Sequence, residues 1–369
     1  MARRGRLAWP AMATRGSILV LLVCNALLLL LLPGCSRSSD DPPVVTRSYA
    51  MGFSWFPPRP DLALAVQVAD AAAPHSDAAL ILASVPWEGL LAGQTAEALV
   101  RANELGLAEL YRSKGLRVVV SIDPTNGLDR ASDAPALVAR GRSIAEPAIQ
   151  ALYRSYVLAM ARVLQPAHLG IASETNFVRS RAPMALYNGL RAAANAAAAD
   201  VRAAGLTAVL FVTVQVEVAW GRPGGAFVGV GVDRTDFPFV AALGLSSFPH
   251  LAGFDDPDSL PLDYFSRLVQ GTPLPLLAIE GGWPSDSGSG IASSAEEQRR
   301  YVQKQSRLLD AAAAIAWFQI NFTDLEEGQW PAGTRPFARL GLVDAALRAK
   351  PALAEWDNLL ARPFVPAAR

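Results

Sequence analysis

The chain holds only two cysteines and three histidines in 369 residues. Both cysteines, Cys24 and Cys35, fall within or at the end of one apolar N-terminal run. A chain processed there keeps no spare thiol, which excludes a disulfide framework, a cysteine-based zinc site and a cysteine nucleophile in the remainder. His75, His168 and His250 are too scattered for a metal centre, so neither a metal nor a cofactor is expected. Net charge is absent too: 33 basic residues balance 33 acidic ones. No basic footprint for nucleic acid follows from that balance. No glycine-rich phosphate fingerprint follows an early strand. Asp255, Asp256 and Asp258 in "GFDDPDS" suggest calcium less than they suggest a solvated loop that starts a helix. Apolar residues, by contrast, are plentiful at 51%, ample for a large core.

The first 35 residues read as a targeting segment. Arg3, Arg4, Arg6 and Arg15 form a basic region ahead of the apolar run "SILVLLVCNALLLLLLPGC". An uncleaved N-terminal anchor helix is the other reading of this run. Its end, "LLPGC", resembles a bacterial lipobox, with Leu32 at −3, Gly34 at −1 and Pro33 in place of the usual small residue. The resemblance implies lipidation of Cys35 and a protein tethered to the envelope, outside the cytoplasm. Ser36 in the next position implies, by the same resemblance, the outer membrane. Residues 36–48 then form a polar, proline-containing tether, and residues 49–369 a single folded domain.

In that domain short apolar runs alternate with amphipathic stretches. The runs are 49–56, 78–85, 116–123, 168–174, 207–216, 242–248, 274–280 and 314–322. Each is rich in Val, Ile, Leu or Phe and short enough for a fully buried parallel strand. Helical patterns lie between them at 95–115, 145–164, 183–205 and 294–313. Pro183 and Gly205 bound the third as start and stop signals. Ser294 and Glu297 have capping-box spacing at the start of the fourth. Between the fifth and sixth runs lies "GRPGGAFVGVG", with no long helical pattern. Eight strand–helix alternations predict an α/β fold, a (β/α)8 TIM barrel, over an open doubly wound sheet.

Such a barrel builds its site at the C-terminal strand ends. Those ends carry Trp55, Trp87, Asp123, Glu174, Gln215, Glu217, Phe248, Glu280 and Asn321. Tryptophans gather on the same rim: Trp55, Trp87, Trp220, Trp283 and Trp330, which suits stacking on sugar rings or packing under long loops. His250, beside Phe248 and Pro249, is a further candidate to face the cleft. Asp123 and Asn126 contact sugar or cap the turn. Glu174 ends the fourth strand and Glu280 the seventh, so the two face each other across the mouth. Paired carboxylates in that position suit glycoside hydrolysis, one as nucleophile and one as acid/base.

The pattern resembles clan A of the glycoside hydrolases, whose acid/base ends strand four and whose nucleophile ends strand seven. "GLSSFPH" (244–250) resembles the sixth-strand motif of family 53, the arabinogalactan endo-β-1,4-galactanases. "IEGGWPS" (279–285) is similar to the seventh-strand motif of family 17 glucanases and close to that of family 53. "GLVDAALRAKPALAEW" (341–356) resembles a closing helix of the clan. Two positions depart from it. Ser173 stands where the clan usually has an Asn that binds the sugar 2-hydroxyl, with Asn176 nearby. Glu88 follows strand two, where many members carry an Arg that holds the nucleophile ionised.

The resemblance implies a retaining hydrolase of β-linked poly- or oligosaccharide. Glu280 would act as nucleophile and Glu174 as an acid/base that begins protonated. The alternative is a non-catalytic carbohydrate-binding lipoprotein on a degenerate barrel. Either reading implies a monomer with a carbohydrate partner, the membrane reached through a lipid anchor, and no nucleic acid.

Overall fold

The computed structural model describes residues 45–272 and 274–367. The expected signal segment, Cys35 and nearly all of the tether lie outside those residues. Among the described residues no helix is long and apolar enough to cross a membrane.

Eight parallel strands close into a barrel. They are β1 (Ala50–Ser54), β2 (Ala78–Ser84), β3 (Arg117–Asp123) and β4 (His168–Gly170). Then follow β5 (Val209–Gln215), β6 (Ala242–Ser247), β7 (Leu276–Gly281) and β8 (Ala316–Gln319). Each strand pairs with its neighbours in sequence, and β8 closes on β1 with Ala50 opposite Ala316. All eight predicted runs contain a strand. The fourth is the shortest, although the Ile171 N–H still donates to the Phe211 carbonyl and the Ala172 carbonyl still accepts from the Thr213 N–H before the chain bends at Glu174.

Two apolar layers hold the barrel together. Its interior is filled by Ala50, Leu80, Val119, Phe211, Leu277, Ile279 and Phe318 with small residues between them. A larger core, including Trp317, Trp356, Tyr153 and Leu243, lies outside the sheet under the helices. Along each strand, alternate residues face inward, and their character changes towards the C-terminal end. In β3 the series is Val119, Ser121, Asp123, and in β5 it is Phe211, Thr213, Gln215. The barrel is greasy at the bottom and polar at the top.

The helices Pro147–Leu164, Met184–Ala203 and Ala295–Ala311 match the predicted patterns closely. The first pattern, 95–115, is broken by a π-helical turn at Arg101–Leu105. Ser294 caps its helix as the spacing predicts, accepting from the Glu297 N–H at 3.2 Å, while its own hydroxyl donates to the Glu297 carboxylate. Between β5 and β6 only short helices form, Val216–Ala219 and Gly231–Asp236. One feature was not anticipated: a two-stranded hairpin, Thr125–Asn126 with Asp129–Asp133, placed directly after β3.

Candidate active site

Glu174 follows β4 at φ 45° and ψ 50°, the left-handed region that a residue with a Cβ seldom occupies. Its N–H donates to Thr213 Oγ1 at 2.7 Å, which holds the bend against β5. The helix that follows, Thr175–Arg181, is pinned to buried Asp233 by Thr175 Oγ1 at 2.9 Å and the Arg179 guanidinium at 3.0 Å. Such strain survives only where its surroundings fix it. Here it aims a carboxylate into the barrel mouth.

Glu280 sits in register with Ser246, at a shift between Leu245 and Ser246 in the β6–β7 pairing. Irregular pairing of this kind re-aims side chains beside sites. Ser246 Oγ donates to Glu174 Oε1 at 2.6 Å, so one hydroxyl ties the end of β6 to the bend after β4. The glycine pair after Glu280 has a steric cause. Gly282 lies at φ 157°, and a Cβ there would come within 2.6 Å of Gln319 Nε2. Only glycine lets the chain turn this close over β8.

Both glutamates meet one cation. Arg130, from the second hairpin strand, donates from Nη1 to Glu174 Oε1 and from Nη2 to Glu280 Oε1, each at 2.9 Å. Its Nε donates to Asp123 Oδ2 at 2.7 Å. Asp123 in turn accepts from the Thr125 N–H and hydroxyl through its other oxygen, fixing the base of the hairpin. Three carboxylates therefore share one guanidinium, all four side chains nearly buried. Burial pushes the Glu280 carboxyl up to about 7, with Arg130 opposing and the Glu174 and Asp123 charges adding to the rise. The Arg130 guanidinium is held firmly charged by the carboxylates around it.

These groups form the floor of a cavity of about 780 Å³ at the strand ends. Of the predicted residues, Glu174, Glu280, Trp87, Ser173, Phe248 and Trp330 line it, as do Asp123, Gln215 and Asn321. Trp87 contributes an edge only, being 2% exposed with its Nε1 donating to the Pro124 carbonyl. Trp55 packs on Tyr111, and Trp220 stacks on Tyr264. Trp283 and His250 pack on each other, with His250 held neutral because burial drives its imidazole down to about 3. None of these last four is among the lining residues. Asn176 is also spent elsewhere: its amide donates to the Gln215 carbonyl and accepts from the Gln215 and Phe177 N–H groups. Broad tryptophan faces are thus mostly absent from the cavity, because large rings at strand ends also serve to seal barrel against helices.

Glu217, another strand-end acid, is buried away from the cavity. It accepts from Ser247 Oγ at 2.8 Å and Tyr264 OH at 2.9 Å, while Oε2 has no partner. Burial raises it to about 7. Glu88 lines the cavity but is exposed, and as an acid it cannot supply the positive charge that an Arg would bring to Glu280. The cation beside Glu280 is instead Arg130. Its nearest signal in the sequence is the turn residue Gly127: Asn126 pairs with Asp129, so Gly127–Leu128 make the turn that brings Arg130 back beside Asp123. Among the described residues no group of three or more His, Cys, Asp or Glu is arranged to hold a metal ion.

Comparison of the fold with solved structures returns glycoside hydrolases. The exo-β-1,4-mannosidase Op5Man5 from Opitutaceae bacterium strain TAV5 superposes with TM-score 0.65 at 16% identity, over 86% of this chain and 60% of that one. The chain thus spans about 60% of the length of that enzyme. A GH5_18 protein from Bifidobacterium longum subsp. longum ATCC 55813 gives TM-score 0.61 at 15% identity, over 87% and 81% of the two chains. A β-glucuronidase of an uncultured Clostridium sp. gives 0.55 at 12%, over 85% and 50%. At these identities the likeness is one of fold. The neighbours are clan A barrel enzymes, family 5 among them, and the resemblance to family 53 finds no support here. No family model and no curated protein matches the sequence.

Proposed function

We propose that the chain is a retaining glycoside hydrolase of neutral β-linked sugars. The observation that carries this reading is the pairing of Glu174 and Glu280 at the cavity floor. Two carboxylates spanned by one guanidinium are near neighbours, which supports the retaining separation of about 5–5.5 Å over the wider inverting one. Five carboxylates line the cavity, Glu88, Asp123, Asp129, Glu174 and Glu280, against the single Arg130. That balance disfavours a uronate or phosphorylated sugar.

In this mechanism Glu280 attacks the anomeric carbon as Glu174 protonates the leaving oxygen. Glu174 then takes a proton from water, which releases the sugar from Glu280 and restores both acids. Arg130 lies between the two, bonded to both, and burial raises the Glu280 carboxyl. Sugar entry therefore has to draw Arg130 off Glu174, leaving Glu174 free to carry the pair's proton while Arg130 stays with Asp123 and Glu280 and favours the ionised nucleophile.

The same ion pairs favour a second reading, a carbohydrate-binding protein whose catalytic gap is closed by its own arginine. Activated 2-deoxy-2-fluoro glycosides separate the two. The parent should be labelled covalently and Glu280→Gln should not. A parent that binds glycans but is never labelled, and hydrolyses them no faster than Glu280→Gln, would be a binding protein.

We further propose a lipid anchor on Cys35 and a location outside the cytoplasm, on the strength of the basic region, the apolar run and "LLPGC". Cys35→Ala should lose labelling by a fatty-acid probe and remain unprocessed. Equal labelling of parent and variant would remove the anchor from the proposal.

A further inference from the structure

The cavity is polar at its floor, and above it an arc of apolar side chains runs beside the polar Glu88, Asn126, Asp129 and Thr334. Phe56 meets Trp330 with ring centroids 5.9 Å apart, and Phe248 meets Phe337 at 4.9 Å. Leu128, at the hairpin tip, packs so closely on the loop after β8 that a Cβ on Gly333 would lie 3.2 Å from it. Leu251, on the loop after β6, adds a second aliphatic group. All six of these side chains line the cavity. Leu128 and Leu251 are 49% and 46% exposed.

Branched aliphatic groups at a cavity mouth do little for a hydroxylated ring. They offer no hydrogen bond and no flat face, and sugar hydroxyls stripped of water against them lose free energy. A hydrocarbon group gains it in the same place. At about 780 Å³ the cavity lies within the range of pockets that enclose a drug-sized molecule. Sugar and aglycone fit together. Arg130 is the single cation among the lining residues and is already paired three times, so none there is free to receive a charged aglycone.

We propose that the substrate is a neutral β-glycoside with an apolar aglycone, an alkyl or aryl group seated on the arc from Phe56 to Leu251. This rests on the glycosidase reading for the sugar end and on the mouth residues for the other.

The test is calorimetric binding to the full-length chain, below micelle-forming concentrations. The probes are octyl and methyl β-glycosides of glucose, galactose and mannose, with the matching β-linked disaccharides. For the sugar that binds, the octyl glycoside should bind roughly tenfold or more tightly than the methyl glycoside. Leu128→Ser combined with Leu251→Ser should bring that ratio down towards one. The inference is overturned by a parent ratio near one, by disaccharides that bind more tightly than octyl glycosides, or by a preference that survives both serines. The last outcome would place the alkyl chain elsewhere, for example on the N-terminal apolar run. Octyl preference without Glu280-dependent hydrolysis would strike the enzymatic reading and leave the apolar subsite standing.

Discussion

A single side chain, Arg130, decides how the floor of the cavity behaves. Three carboxylates around one guanidinium leave a surplus of negative charge in a nearly buried place, and the desolvation of such a cluster is expensive. The protein relieves it by letting Glu280 keep a proton until about pH 7. In the proposed mechanism Glu280 is a nucleophile that acts only when ionised, so kcat/KM should rise with pH through that value on its acidic limb. Because the Arg130 charge lowers the Glu280 carboxyl, Arg130→Ala should move the limb to higher pH. Arg130→Lys should move it less, since one ammonium keeps the charge but cannot fork between two acids. A pH–rate profile on an aryl glycoside reads both variants, and a limb that stays in place in Arg130→Ala would detach Glu280 from it. The arginine itself was the harder residue to find in the sequence. Glu174 and Glu280 stand out as charges at the ends of apolar runs, whereas Arg130 lies in a polar loop, where charge is ordinary.

At the scale of elements, the sequence was most readable where the chain repeats one rule. A buried parallel strand must be a short run of Val, Ile, Leu and Phe, and each of the eight runs holds one. Three of the four expected long helices were legible from periodicity and end signals, and Ser294 shows why: its hydroxyl binds the helix end that its spacing marks. Short polar elements have no such signature. The hairpin at Thr125–Asp133 is tied to Asp123 and touches the loop after β8, and in the sequence only the glycine of its Gly127–Leu128 turn marks it. The tryptophans failed as guides for a related reason. Position at a strand end says that a ring is near the rim, but not whether it faces sugar or the helices. Trp55 and Trp283 face the packed side, at 6% and 1% exposure.

For the whole molecule, the graded barrel explains why one end can be reactive while the fold stays intact. Phe211 and its apolar neighbours carry the interior, and the polar residues begin above them. Yet three acids, Glu217, Asp233 and Asp324, are buried outside the cavity, and among the described residues Asp233 and Asp324 have ion pairs while Glu217 has none. Glu217 is 3% exposed, lies outside the cavity and has an oxygen with no partner, with its carboxyl at about 7 against an ordinary 4.5. Folding must therefore take up a proton there whenever the pH lies between those values. The folded state then binds more protons than the unfolded one, so stability falls as pH rises across the window. The contribution is complete below about 4.5 and is lost as pH passes 7, and it amounts to about 3 kcal/mol for a shift of that size. Differential scanning calorimetry should show the melting temperature of the parent descending from pH 4.5 to 7.5. Glu217→Gln, which cannot ionise, should descend less, and equal slopes would mean that the buried acid finds a partner for its charge. Acidification, which unfolds many proteins by protonating their paired carboxylates, should over this interval make the barrel harder to melt.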